Sequence, residues 1–286
     1  VTAPSASVAE RTARILGAAA LRWQPVQGGY TPAARWRVEL GTSRAFVKAA
    51  TTPLTARMLR AELRAYSAVR GAFMPTFFGG DDDGETPLIV VEDLGSARWP
   101  PPWDAPLVDA VLAALDEVHS QRPEPMIDQG AMTVEPGWTL VAADPEPFLH
   151  LRVASAAWLD RSLDQLLAGE AACRTTGEAL LHFDVRSDNL CLTPQGVKLI
   201  DWAEARSGNP DLDLGFWLPS LAAEGGPLPE AILPSSPEIA AWVSGYFAAR
   251  AGLPDIADAP HVRQVQRVQL ATALPWAARA LGLQPP

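Results

Sequence analysis

Apolar and polar positions along the chain recur with two different periods, and the change of period divides it. Residues 5–20 are alanine-rich, with Ser5 and Ser7 as candidate caps, and predict a helix. The runs 35–40 (RWRVEL) and 45–49 (AFVKA) read as strands joined at Gly41-Thr42-Ser43. A helix is predicted over 54–70, ended by Gly71, and Leu88-Ile89-Val90-Val91 reads as a buried strand running into Glu92, Asp93, Leu94 and Gly95. Asp81-Asp82-Asp83-Gly84 before it reads as a solvated hairpin tip. Arg98 to Pro106, rich in Pro and Trp, reads as a linker or rim. Beyond it the helical period dominates. Residues 107–119 put Leu107, Val111, Leu112 and Leu115 on one face, ending at His119, which reads as a packed or capping residue. The stretch 120–145 is irregular and longer than a compact connection needs, either plain loop or part of a lid or acceptor pocket. A helix is predicted over 147–169, another starts near 212, and 236–284 alternate apolar helical stretches with turns. Two short apolar runs, 190–192 and 197–200, flank Thr193-Pro194-Gln195-Gly196 and predict a hairpin.

The candidate chemistry gathers at that hairpin. Folding it about its loop sets residues 189 and 201 opposite each other to within about one position, with Asp184 five residues before Asn189. An amide oxygen and a carboxylate leaving one end of a ribbon beside a second carboxylate suit Mg²⁺ carrying a nucleotide's phosphates. A surface loop with scattered acids would leave unexplained why Asp184 and Asp201 adjoin Phe183, Ile200 and Trp202. In the N-terminal part, Lys48 lies in an apolar strand between Val47 and Ala49, so it either snorkels to solvent or meets an anion. Glu62, fourteen residues on, shares a helix face with Leu59 and Tyr66 and is the candidate partner; the alternative is a local pairing with helix arginines. Gly28-Gly29 before the strands forms a turn that can let backbone amides approach phosphates.

HFDVRSDN at 182–189 followed by LIDW at 199–202 resembles the catalytic and metal-binding segments of the aminoglycoside phosphotransferase and choline-kinase-like family, small-molecule kinases that share the protein-kinase fold. The resemblance implies an α+β, two-lobed fold. A small N-terminal lobe, 1–94, would hold an antiparallel sheet and a helix, and a larger, mainly helical lobe, 95–286, would carry the hairpin. It implies transfer of the γ-phosphate of ATP or GTP to a hydroxyl, with Asp184 as the catalytic carboxylate and Asn189 and Asp201 as Mg²⁺ ligands. Lys48, held by Glu62, would position the phosphates under Gly28 and Gly29, and the backbone from Glu92 to Leu94 would meet the adenine edge. His182 and Asp213 would support the catalytic loop, Asp213 by bracing its backbone, whereas Asp211 reads as a helix cap. The commonest family form is HGDLHPGN; here Phe183 replaces its glycine and Arg186-Ser187-Asp188 replaces His-Pro-Gly. Arg186 could neutralise the transferring phosphoryl group, or pair with Asp188 or with Glu204.

Composition narrows the partners. Net charge is −10, divided as 11 Lys or Arg against 9 Asp or Glu in residues 1–94 and 12 against 24 in 95–286. An acidic second part mildly favours a cationic acceptor, and the resemblance implies an aminoglycoside-type or other antibiotic as the substrate, with a resistance role. An endogenous amino alcohol, sugar or sugar-amine is the alternative, and a nucleotide-holding pseudokinase a further one. Glu224, Glu230, Glu238, Asp255 and Asp258 are the acids available to read an acceptor, with His261 and Trp276 unassigned. No basic stripe with interleaved aromatics points to nucleic acid, and no window reaches the apolar length of a membrane span. Cys173 and Cys191 match no metal-ligand spacing, and residues 1–20 lack the layout of a signal peptide. A soluble, cytoplasmic monomer or weak dimer is expected.

Overall fold

A computed structural model describes residues 3–123, 134–257 and 259–286. Helix α1 (Ala6–Leu16) starts on Ser5, whose hydroxyl accepts the Val8 N–H, and stops at Gly17 in the left-handed region. Five antiparallel strands follow: β1 (Arg22–Pro25), β2 (Ala34–Leu40), β3 (Ser43–Ala49), β4 (Phe77–Asp81) and β5 (Leu88–Glu92). Their spatial order is β1-β2-β3-β5-β4. Helix α2 (Pro53–Ala68) lies between β3 and β4 in the chain and begins on a reciprocal cap between Thr52 and Thr55.

Strand alternation sorts the sheet into two faces. Trp36, Val38, Ala45, Val47, Leu88 and Val90 form a core with Val8 of α1. Phe46, Lys48, Ile89 and Val91 occupy the other face, where Lys48 stands between Arg35 on β2 and Ile89 on β5. The period of two that buries Val47 under α1 therefore turns Lys48 toward α2. Two strands carry no readable signal in the sequence. β1 is short and mostly exposed, and β4 contains the glycine pair of FFGGD. The acidic turn after β4 is the exposed hairpin tip expected, and it also holds two helices. Buried Arg11 pairs with Asp83 at 2.7 Å and Asp81 at 3.2 Å, and Arg60 pairs with Asp82 at 2.7 Å, so the turn anchors α1 and α2.

The remainder is helical: α3 (Ala105–His119), α4 (Gly137–Ala143), α5 (Glu146–His150), α6 (Ala156–Ala172), α7 (Asp211–Ala223), α8 (Pro229–Ile232), α9 (Pro237–Ala251) and α10 (Val262–Ala280). The single helix expected over 147–169 is broken. Arg152 adopts φ 56° after α5, and Ser155 then caps α6 by accepting the Trp158 N–H. The expected irregular stretch 120–145 contains α4; its residues 124–133 lie outside the described ones, as does Asp258. Short pairings join β6 (Ala179–Leu181) to β9 (Arg206–Gly208) and β7 (Leu190–Thr193) to β8 (Gly196–Leu199), and bridges link Arg98 to Leu192 and Ile256 to Ala259.

One apolar core crosses from sheet to helices. It joins Tyr66, Phe73 and Val91 to Leu115, Leu199, Trp202 and Trp217. Lys198 reinforces the junction by donating to the carbonyls of Ala72 and Met74 at 2.9 and 3.0 Å. A second core around Trp138, Trp158, Phe247 and Trp276 welds α4, α6, α9 and α10, which assigns Trp276 to packing. No helix among the described residues is long and apolar enough to cross a membrane. Thr52→Ala removes the cap of α2 and should lower unfolding free energy by about 1 kcal/mol, read as a reduced urea midpoint at unchanged slope.

Candidate active site

The buried Lys48 ammonium donates to Glu62 Oε2 at 2.7 Å and to Asp201 Oδ1 at 3.0 Å. Three separated segments thus meet at one cation: β3, α2 and the turn after β8. This pairing decides between the two partners open to Glu62, since Arg60 is taken by Asp82. Asp201 sits at φ 64°, a left-handed conformation that turns the chain sharply after β8. The hairpin register pairs Leu190 with Leu199, and the Ile200 N–H donates to the Asn189 carbonyl at 2.9 Å. Residues 189 and 201 are thereby one position out of register at the same end of the ribbon.

The loop from β6 to β7 is held by its own backbone. Asp213, fully buried, accepts the N–H of His182 at 2.8 Å and of Phe183 at 2.6 Å, and takes a bond from His119 Nε2 at 3.0 Å. His119 is thus a packed residue that orients this carboxylate. Asp211 does not cap α7 with its side chain; the Asn209 amide oxygen accepts the Asp211 N–H instead. His182 has one consistent tautomer, with Nε2–H donating to the Ile200 carbonyl at 2.9 Å while Nδ1 accepts the Asp184 N–H at 3.3 Å. Burial lowers its pKa, which keeps that neutral form. Asn189 donates to both the Asp184 carbonyl and Asp184 Oδ2, at 2.9 and 2.8 Å. Its amide nitrogen faces Asp184, so its oxygen is left for another partner.

Charge in this cluster is uneven. Burial pulls the Lys48 pKa down, yet Asp201 and Glu62 together hold it above its ordinary value. Burial likewise opposes ionisation of Asp201, but the adjacent Lys48 holds that carboxyl low. Burial makes the Glu62 carboxyl the harder of the two to ionise and pushes it up to about 7, against the pull of Lys48. Burial also pushes Asp184 up to about 6, against the pull of Arg186. Arg186 lies 3.1 Å from Asp188 and 3.5 Å from Asp184, and its guanidinium stacks over the Tyr30 ring at 4.6 Å. Its partner is therefore Asp188, since Glu204 pairs with Arg206 at 2.7 Å.

These residues face a cleft of about 780 Å³ between the sheet and the helices. Gly28 (φ 116°) and Gly29 (φ 80°) line it in conformations open to glycine, and a side chain at Gly29 would strike the Arg35 guanidinium. Arg35 donates to the carbonyls of Gly28, Thr31 and Ala33 and so fixes this loop. It was not singled out in the sequence, although its place across from Lys48 follows from the strand register. At the sheet's exit, Glu92 accepts from Thr76 and Asp93 pairs with Arg37. The Leu94 carbonyl is taken by Ala97 N–H and Trp99 Nε1–H, while its N–H has no partner among the described residues. Among those residues no three His, Cys, Asp or Glu side chains form a metal cage. A divalent ion held by the Asn189 oxygen and Asp201 would therefore need phosphate oxygens and water to complete its shell. That is the donor set expected for a metal arriving with a nucleotide.

The far end of the cleft, expected to read an acceptor, is where sequence and structure part. None of Glu224, Glu230, Glu238 or Asp255 lines the cleft. Glu224 accepts from Ser187 and Trp103, and Glu230 pairs with Arg279. His261 sits at the start of α10 and is exposed. The lining residues that the sequence did not flag include Phe216, Tyr246, Phe247, Gln266 and Gln269. Their positions on α7, α9 and α10 read as ordinary helix faces, so no local signal distinguishes them.

Two measurements check this geometry. The folded-state pKa of Asp184 is raised, so protonation favours the folded protein. Its contribution is complete below the unfolded value near 3.8 and is lost as pH rises through about 6. Metal-free thermal melts should therefore show a decline over that interval, reduced in Asp184→Asn. Asp213→Asn opposes an amide donor to a backbone N–H and should destabilise the protein by about 2–3 kcal/mol in urea unfolding.

No curated protein is significantly similar in sequence. Solved structures resemble the chain throughout at low identity. Aminoglycoside phosphotransferase APH(4)-Ia is 15% identical, with 98% of this chain and 99% of that one covered at a TM-score of 0.61. Spectinomycin phosphotransferase APH(9)-Ia, in complex with ADP and spectinomycin, is 14% identical over 93% and 95% at 0.60. Amicoumacin kinase hAmiN, in complex with AMP-PNP, Ca²⁺ and Ami, is 12% identical over 87% and 88% at 0.51. These likenesses establish the fold. The sequence profile of the phosphotransferase enzyme family (APH) matches residues 22–257. The chain has the protein-kinase-like fold and belongs to that family of phosphotransferase enzymes.

Proposed function

We propose that this enzyme transfers the γ-phosphoryl group of ATP, or of GTP, to a hydroxyl of a small molecule. The observation that carries the reading is the Lys48 ammonium between Glu62 and Asp201, on the wall of a cleft that also holds Asp184 and Asn189. The lobe boundary is placed at 94/95, with the nucleotide base meeting the backbone of Glu92 to Leu94 and the free Leu94 N–H as a donor. Lys48 orients the phosphates and Gly28-Gly29 covers them. Mg²⁺ bound by Asn189 and Asp201 would neutralise charge on the phosphate oxygens.

Asp184 orients the acceptor hydroxyl through Oδ1 and Oδ2, the latter fixed by the Asn189 amide. The acceptor oxygen bonds to the γ-phosphorus as the bond to the bridging oxygen breaks, and the electron pair leaves on the nucleoside diphosphate. The hydroxyl proton passes to Asp184 and then to water. In a loose transition state the nucleophile needs little activation, so a carboxylate of modest basicity suffices and positioning supplies most of the acceleration. Arg186 stands beside Asp184, close enough to stabilise charge on the transferring group once it leaves Asp188. The relatives' complexes with hygromycin B, spectinomycin and amicoumacin support a small-molecule acceptor. Antibiotics of aminoglycoside type and endogenous metabolites both fall within that class.

Asp184→Asn should lower turnover by about two orders of magnitude or more, with Mg-ATP affinity nearly intact by calorimetry. Asp201→Ala should instead weaken Mg-nucleotide binding by about ten-fold or more. Wild-type turnover in the first variant, or wild-type nucleotide affinity in the second, would remove the assigned roles.

A further inference from the structure

We infer that the acceptor is an uncharged or singly charged alcohol bearing a flat, apolar ring, and that Gln269 is a residue that selects it. This rests on the phosphotransfer reading above and narrows its acceptor. The cleft beyond Asp184 is walled by aromatic rings. Phe183 meets Phe216 at 5.1 Å, Phe216 meets Tyr246 at 5.1 Å, and Tyr246 meets Phe247 at 5.3 Å, all edge to face. Such a wall presents ring faces and edges to a planar ligand.

Phe183 is the informative member. It holds φ 64°, a conformation natural to glycine and strained for a bulky side chain. Its backbone N–H is held by Asp213 at 2.6 Å, which helps to keep the loop in that conformation. A phenylalanine retained under strain beside the catalytic carboxylate points to a use for its ring. Arg206 already lies over that ring at 4.6 Å, closing one side of it.

The polar groups at this end suit a neutral ligand. Among the described residues, each acceptor-side carboxylate that lines the cleft beyond Asp184 is matched by an arginine: Asp188 by Arg186 and Glu204 by Arg206. A polyammonium acceptor would have to displace both cations, and meets none of the free acids that the chain's net charge promised. Two carboxamides line the cleft instead. Gln269 is 6% exposed and its side chain bonds to no described residue; Gln266 is 7% exposed and its oxygen is used by Arg263, leaving its NH₂ free. Both amides open onto the cleft instead of being sealed off, so a ligand there takes the place of water as their partner. Carbonyl, ether or hydroxyl oxygens of an acceptor would do so.

The experiment uses the full chain with Mg-ATP, and compares phenyl β-D-glucoside and uridine with hygromycin B. Calorimetry with Mg-ATP comes first. Absence of nucleotide binding would overturn the phosphotransfer reading and this inference with it. With nucleotide bound, kcat/KM for the ring-bearing neutral alcohols should exceed that for hygromycin B by about ten-fold or more. The reverse order, or phosphorylation of neither class, overturns the acceptor assignment and leaves phosphotransfer standing. Gln269→Leu, which keeps the volume apolar, should raise the acceptor KM by about ten-fold through one lost hydrogen bond while the Mg-ATP KM stays within about three-fold. Gln269→Glu should shift relative kcat/KM toward hygromycin B. An unchanged acceptor KM in the first variant, with a native melting profile, overturns the role of Gln269.

Discussion

A single buried ammonium joins the parts of this protein. Lys48 is contributed by β3, Glu62 by α2 and Asp201 by the turn that follows β8, and the three meet within 3.0 Å. Two carboxylates share one cation in a partly enclosed site, and burial makes Glu62 the readier of the two to take up a proton. Such a cluster is poor as a device for stability, because desolvating three charged groups costs about as much as their mutual attraction returns. It is well suited to hold a charged group in one place. The sheet supplies the rigid platform, and the apolar core running from Tyr66 through Trp202 to Trp217 keeps the two halves aligned.

The loop carrying Asp184 is organised by the complementary device, a buried carboxylate that serves backbone instead of substrate. Asp213 takes two consecutive N–H groups and a histidine. With His182 locked between the Ile200 carbonyl and the Asp184 N–H, the position of Asp184 is set before any ligand arrives. Preorganisation of this kind matters most where the chemistry itself is loose and the protein's work is placement. The cost is carried as backbone strain at Phe183 and Asp201, both near φ 64°.

The acceptor end shows why bulk charge is a poor guide to a pocket. Residues 95–286 carry twice as many acids as bases. Yet the acids nominated from sequence face other partners: Glu224 holds Ser187 and Trp103, and Glu230 holds Arg279. What α7, α9 and α10 bring to the cleft is aromatic and amide groups, beside acids already paired with arginines. The net charge acts on the long-range field and on solubility, whereas a pocket is defined by the few side chains that converge on it.

The grouping of Lys48, Glu62, Asn189 and Asp201 was legible in the sequence because its determinants are local. A hairpin with a Pro-Gly loop fixes the register of Asn189 against Asp201, strand alternation fixes the face of Lys48, and helix periodicity puts Glu62 beside Leu59 and Tyr66. Each needs only a few neighbouring residues, and the family resemblance of 182–189 and 199–202 is carried by the same short stretches. The strands at 22–25 and 77–81, the break at Arg152 and the service of the Asp81–Asp83 turn to Arg11 and Arg60 were not legible. Nor was the acceptor wall. Phe183, Phe216, Tyr246 and Gln269 lie on a loop and three helices far apart in the chain, and each helix has apolar residues on several sides. Which of those sides faces a cavity and which faces a core is settled by how α7, α9 and α10 pack, a property of the whole assembly that no local pattern encodes.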